Sequence, residues 1–328
     1  MFKKTTSIME CSRIFSLPTT IFSWLVIFTY GVIDSGNILY GLITFIGLCF
    51  AHLGTNLIDD YFDYKYLIKQ VNFDKKEYLK HSQKTKCRYL ISGQMKESQI
   101  IKIIIFHFSI ALLSGLFLFL KCGVGVLYFA LIGAGIALLY PFVSRFCLSE
   151  IAVAIAYGPA LFGGVYYVMT GTYSNDVYIL SIPTMLMTVV LLYIHTVMDY
   201  DFDTAEGKFT IANRFNSQLD SLIILKILLF AAYLSLILLC IFDILDWQVF
   251  IVCLTIPLSI DLYNSLKEFS CNSENMPEKK WYHFPMEKLN YFIERNEGSF
   301  MFRMLQARNL MMFFAIFLTL AIIISLGL

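Results

Sequence analysis

Residues 56–64 read NLIDDYFDY, and they follow directly on the apolar run ILYGLITFIGLCFAHLGT of residues 38–55. That run is long enough to cross a membrane as a helix, since the hydrocarbon core takes about 20 residues. The nonapeptide therefore puts Asp59, Asp60 and Asp63 at the end of a greasy helix. If the helix continues through it, Asn56 and Asp60 lie four apart, as do Asp59 and Asp63, so amide and carboxylates share one face. Such carboxylates repel one another unless a cation is present, and at a helix C-terminus the macrodipole disfavours each by about 0.3–1 kcal/mol. Capping does not explain them.

Composition sets the frame for this stretch. The 328 residues are 58% hydrophobic, 16% aromatic and only 15% charged, with a mean hydropathy of +0.69. A soluble globule of this length has about a quarter charged residues, so the chain reads as an integral membrane protein. Hydropathy marks nine spans, near Ser16–Ile33, Ile38–Leu57, Ile100–Leu120, Gly123–Val143, Ile151–Thr170, Val177–Met198, Ser221–Phe242, Trp247–Leu266 and Asn309–Leu326. The runs are continuous and helix-length, which predicts an all-α bundle rather than a barrel. No break in composition divides residues 1–328, so one membrane-embedded domain is expected, with polar loops at about 64–99 and 267–308.

Of the 25 Lys and Arg, all but Lys121 fall at the N-terminus, in the connections after spans 2, 4, 6 and 8, or at the flanking helix ends. The positive-inside rule then puts the N-terminus in the cytoplasm and the C-terminus outside, in a bacterial-type inner membrane. No cleavable signal peptide is expected before span 1. The net charge of +1 gives no reason to expect a nucleic-acid partner. The eight cysteines are scattered, without CxxC pairs, and read as reduced structural thiols.

A second acidic stretch, HTVMDYDFDTAEGKFTIANRF, begins at His195, about 140 residues after the first. His195, Asp199 and Asp203 are spaced i, i+4, i+8, and Glu206 follows a turn later. Clustered carboxylates and an amide are hard oxygen ligands suited to Mg2+, which takes one or two carboxylates plus phosphate oxygens and water. Soft or imidazole-rich metal sites are not on offer, His195 being read as the only histidine near either cluster. Two such clusters on one side imply Mg2+ holding a diphosphate between them, and a mouth at the membrane suggests a lipid tail. Cations are expected nearby, and Lys84, Lys86, Arg88, Lys208 and Arg214 are candidates, the first two better explained by the positive-inside bias than by function.

NLIDDYFDY and DYDFDTAEGKFTIANR resemble the two Asp-rich motifs of the UbiA superfamily of intramembrane prenyltransferases. SRIFSLPTT is similar to the family's Arg-Pro-x-x-x-x-Pro opening, with Arg13 and Pro18 in place, and CRYLISGQM to its Arg-Pro-Leu-x-x-Gly segment, with Arg88 and Gly93. LSEIAVAIAYGPALFGGVYYVMTG, with Glu150, Gly158, Gly164, Tyr166 and Tyr167, resembles the corresponding helix of 1,4-dihydroxy-2-naphthoate prenyltransferases of menaquinone synthesis. Their second motif maps onto Asp199, Asp203, Gly207, Lys208 and Thr210, with His195 and Met198 replacing an Asn and an Arg. Asp74 is a distant match to a further family acid.

The resemblance implies Mg2+-dependent transfer of a polyprenyl group from polyprenyl diphosphate to an aromatic acceptor, inside a membrane lipid environment. Metal ligands would be Asn56, Asp59, Asp60, Asp63, Asp199 and Asp203. Asp63, Asp199, Asp203 and Lys208 would be catalytic, and Arg88, Lys208 and Arg13 would bind diphosphate. Tyr140, Tyr157, Tyr166 and Tyr167 could line a cavity that stabilises an allylic cation. Arg145 and Glu150 would position the acceptor or form a plain loop ion pair. His195 would accept the acceptor's proton or pack a helix. The acceptors in competition are naphthoate, 4-hydroxybenzoate, homogentisate, haem and a phosphoribosyl group. A cation-coupled transporter is the remote alternative, but it predicts charges near the bilayer midplane rather than at one surface.

Overall fold

Asn37 accepts a hydrogen bond from the Tyr40 amide at 3.1 Å, and this cap starts the helix that carries the opening stretch. Ser174 and Ser217 start two later helices in the same way, through the amides of Asp176 and Asp220, each side chain satisfying an otherwise orphaned amide. The computed structural model describes residues 11–70, 73–80, 87–205 and 207–327.

Among these residues nine helices are long and apolar enough to cross a membrane, and no β-strand is present. They are α1 (Leu17–Ile33), α2 (Ile38–Leu67), α3 (Glu97–Cys122), α4 (Gly125–Val143), α5 (Ser149–Thr170), α6 (Asn175–Met198), α7 (Gln218–Ile241), α8 (Trp247–Cys271) and α9 (Gly298–Leu326). The chain is a multi-pass helical membrane bundle, as its hydropathy predicts. Each helix packs on its neighbour in sequence, α9 closes the ring against α1, and α1 also meets α5 and α6 across it. α6 is the most buried span and α3 the least, so α6 forms the inner wall while α3 leaves most of its surface outward. The main apolar core runs through α1, α5, α6, α7, α8 and α9, with Tyr193, Phe162, Phe314 and Ile27 among its buried side chains.

Three departures from the expected boundaries matter. α2 runs ten residues past Leu57, to Leu67, so the first acidic cluster is helical throughout. α9 begins at Gly298 rather than Asn309, because its polar first turns are buried. Arg303 is fully buried there, donating to the Ser265 carbonyl at 2.7 Å, the Asn275 carbonyl at 3.2 Å and the Ser299 carbonyl at 2.9 Å. It thereby ties α8, the segment after it and α9 together. The intervening residues are further fastened by Asp261, which accepts from Lys280 and Tyr282, and by Asn309, which donates to the carbonyls of His283 and Pro285.

The third departure lies inside α5. Pro159 removes an amide from the ladder, and residues Ala156–Ala160 form a π-type turn in which Gly158 takes φ −94°, ψ −106°. The kink turns Tyr157 toward α1 and α2, where its hydroxyl lies 3.0 Å from Thr20 Oγ1 and 2.6 Å from His52 Nδ1.

Candidate active site

At the end of α2, Asp59 and Asp60 are buried, at 3% and 1% exposure. A buried carboxylate persists as an anion only with compensating partners. For Asp60 these are Arg13, in an ion pair through Oδ1, and the Tyr89 hydroxyl, 3.2 Å from Oδ2. Arg13 reaches it from a left-handed turn, φ 53°, just before α1. Burial pushes the Tyr89 phenol well above its usual range, so it stays a hydrogen-bond donor. Asp63 pairs with Arg145 at 2.8 Å, and that guanidinium sits 3.7 Å from the centre of the Tyr66 ring. Asn56 donates to Ser16 Oγ at 3.0 Å.

The second cluster begins where α6 ends. His195 Nδ1 lies 3.0 Å from Asp199 Oδ2, and the Asp203 amide donates to the Asp199 carbonyl at 2.8 Å, so the i, i+4 path continues into the short helix Tyr200–Ala205. Asp203 is 3% exposed and pairs with Lys208 at 3.5 Å. Gly207 makes that return possible. Its φ of +65° is left-handed backbone that only glycine enters freely, and it turns the chain so that the Lys208 amide also donates to the Asp203 carbonyl at 2.9 Å.

The two clusters are joined by the loop after α4. Arg145 holds Asp63 by its side chain while its carbonyl accepts from the Phe209 amide at 3.3 Å, and the Cys147 amide donates back to the Phe209 carbonyl at 2.9 Å. Phe202 packs against the group formed by Leu67, Tyr78, Cys87 and Ile91 beside the first cluster. Both acidic stretches therefore stand at one end of the bundle around the Arg145 loop.

Other candidate residues are distributed less simply. Among the described residues Arg88 pairs with Glu297 at 3.4 Å, ahead of α9, rather than with an acid of either cluster. Burial pushes the Glu297 carboxyl above the ordinary carboxylate range, against the pull of Arg295 and Arg88. Glu150 is buried in the first turn of α5, where it accepts from Ser149 at 2.7 Å while Oε1 has no hydrogen-bond partner among the described residues; Arg145 pairs with Asp63, not with Glu150. Tyr140 is half-buried near the end of α4. His195 packs its ring edge against Phe300. Arg214 sits over the Phe209 ring, and Asp74 caps the helix Lys75–Lys80 by accepting from the Lys76 amide at 2.7 Å. Tyr166 and Tyr167 are at the other end of the bundle, bonded to Asp34 and to the Cys122 carbonyl, so they do not line this site. Lys84, Lys86 and Glu206 lie outside the described residues.

One expectation fails outright. His195 is not the only histidine near an acidic cluster, because His52 lies one turn before Asn56 and bonds Ser16 Oγ at 2.7 Å. The signal was in the sequence: HLGTNLIDD and HTVMDYDFD share the spacing His-x-x-x-Asn/Asp-x-x-x-Asp.

Among the described residues, no three His, Cys, Asp or Glu side chains converge on a ready metal position. The donor chemistry still fits Mg2+, which needs only one or two protein carboxylates. Asp59, Asp60, Asp63, Asp199 and Asp203 are all hard oxygen donors, and the cations Arg13, Arg145 and Lys208 stand against Asp60, Asp63 and Asp203.

The profile of the UbiA prenyltransferase family matches residues 16–285. No curated protein matches the chain. A solved structure of digeranylgeranylglyceryl phosphate synthase has a TM-score of 0.58 at 16% identity, covering 99% of each chain. The apo structure of a UbiA homologue from Aeropyrum pernix K1 has a TM-score of 0.59 at 15% identity, covering 90% of this chain and 96% of that one. At such identities the two likenesses show a shared fold, and together with the family match over most of its length they establish that the chain is a prenyltransferase belonging to the UbiA family.

Proposed function

We propose that the protein transfers a polyprenyl group from a polyprenyl diphosphate to 1,4-dihydroxy-2-naphthoate, with Mg2+ as its metal, in menaquinone synthesis. The observation that carries the diphosphate reading is the paired network at the bundle's end, where Arg13, Arg145 and Lys208 each rest on an acid of one of the two clusters. Asn56, Asp59, Asp60, Asp63, Asp199 and Asp203 would hold the metal, whose bound form supplies positive charge to the diphosphate as it leaves. The same network prepares this chain's cations for the substrate. Arg13, Arg145 and Lys208, placed beside these acids, would make charge-assisted contacts to diphosphate oxygens. Arg88, now paired with Glu297, would join them at the diphosphate. Tyr157, fixed at the α5 kink, offers an aromatic wall to the allylic cation while the surrounding helices exclude water. The acceptor assignment rests on the likeness of residues 148–171 and 199–210 to naphthoate prenyltransferases.

Protein purified in detergent, given Mg2+, a polyprenyl diphosphate and 1,4-dihydroxy-2-naphthoate, is expected to release diphosphate and form the prenylated naphthol. Mass spectrometry of lipid quinones in a strain lacking the gene should then show menaquinone missing. Unchanged menaquinone with another prenylated product lost would move the acceptor elsewhere, and absence of diphosphate release with every aromatic acceptor would sink the reaction itself.

A further inference from the structure

His52 is bound through both ring nitrogens in a polar chain crossing three helices. Nε2 is 2.7 Å from Ser16 Oγ, and Nδ1 is 2.6 Å from both Thr20 Oγ1 and the Tyr157 hydroxyl. The directions of these bonds can be worked out. Ser16 has one hydroxyl proton, and it goes to the Arg13 carbonyl at 2.8 Å. The short contact to His52 must therefore be the Nε2–H donating to Ser16, which leaves Nδ1 of the neutral ring as an acceptor. Nδ1 has a single lone pair and two hydroxyls at 2.6 Å, so one of Thr20 and Tyr157 donates to it and the other, with the two oxygens 3.0 Å apart, donates to the first. Asn56 completes the chain. Its Nδ2 faces Ser16 Oγ at 3.0 Å and the Ser12 carbonyl at 3.5 Å. A carbonyl can only accept, so the amide nitrogen is on the serine side and the amide oxygen is turned away from it.

We infer that His52 is a positioning residue for the metal site: by donating to Ser16 it commits that hydroxyl to the Arg13 carbonyl and holds the Asn56 amide with its oxygen presented as a ligand. Without the imidazole proton, Ser16 is free to turn its own hydroxyl toward Asn56, and the amide can flip its nitrogen into the metal's place. The same ring fixes Tyr157 through the opposite nitrogen, so one side chain couples the aromatic wall to the metal ligand. Residues of this kind behind a metal ligand change metal affinity by about 10–100-fold when removed. The inference rests on the metal–diphosphate reading and adds a residue that the sequence reading passed over.

The two ring nitrogens can be tested separately. A glutamine places its amide nitrogen where Nε2 stands, and an asparagine places its oxygen where Nδ1 stands. Electron paramagnetic resonance of Mn2+ bound with inorganic diphosphate measures the site without turnover. His52→Gln is expected to bind Mn2+ within about twofold of the wild type, whereas His52→Asn and Ser16→Ala bind it about tenfold more weakly, with thermal unfolding of all three confirming folded protein. Equal Mn2+ affinity in His52→Asn and wild type overturns the inference, as does an equal loss in His52→Gln and His52→Asn. Failure of the wild type to hold Mn2+ with diphosphate instead strikes the underlying metal reading.

Discussion

Asp60 is the most deeply set carboxylate of the site, and its partners show why the N-terminal segment belongs to the active end. Arg13 and Tyr89 come from opposite sides of α2 in sequence and meet on that one side chain. Removing either member of a buried pair strands the other, which costs more than the pair is worth net. Arg13→Ala and Asp60→Ala should therefore each lower unfolding stability in detergent by about 2–4 kcal/mol, and the double variant should fall short of their sum by about 1–2 kcal/mol. Strict additivity in that cycle would show that the pair is not coupled. Arg13 was legible in the sequence through its resemblance to the family's N-terminal arginine, and the acids through their spacing. Tyr89, Glu297 and Ser16 were not, because their roles depend on which loop folds over which helix end. His52 was legible by its spacing alone, but a single histidine in an apolar run reads as packing until its partners are seen.

Among the elements, α5 does the most to shape the site, and it does so by being broken. Gly158 stands against α6, where a Cβ would lie 2.7 Å from Met185 Sδ and 3.1 Å from its Cγ. Methionine is flexible, so the clash is relieved by moving either Met185 or the kink. Gly158→Ala is expected to cost about 1–3 kcal/mol and to raise KM for the acceptor by shifting Tyr157. Adding Met185→Ala should recover most of the acceptor KM by giving the new methyl room. If the double variant is no better than the single, the kink itself, not the contact with α6, demands glycine. Hydropathy marks α5 as a span and Gly158 matches a family glycine, but a π-type turn leaves no periodic signature. For the same reason the true start of α9 was hidden: Arg303 reads as a loop cation until the carbonyls of Ser265, Asn275 and Ser299 surround it.

Across the whole molecule the two ends differ in kind. One end carries both acidic clusters, Arg13, Arg88, Arg145, Lys208 and the segment after α8. The other carries Asp34 bonded to Tyr166, the Tyr167–Tyr173 stack and few charges. Hydropathy made the nine spans legible because each must satisfy its backbone internally while facing lipid, and the lysine and arginine bias predicts which end faces the cytoplasm. Orientation can be checked with single cysteines. Cys271, at the end of α8, is exposed beside the acidic end, while Ser35, between α1 and α2, is exposed at the opposite one. In a chain retaining Cys271 alone, a membrane-impermeant maleimide should label only permeabilised cells; in a cysteine-free chain carrying Ser35→Cys, it should label intact ones. The reverse pattern would put the acidic end outside, where a cytoplasmic pool of polyprenyl diphosphate could not supply it, and the proposed reaction would then need a different source of substrate.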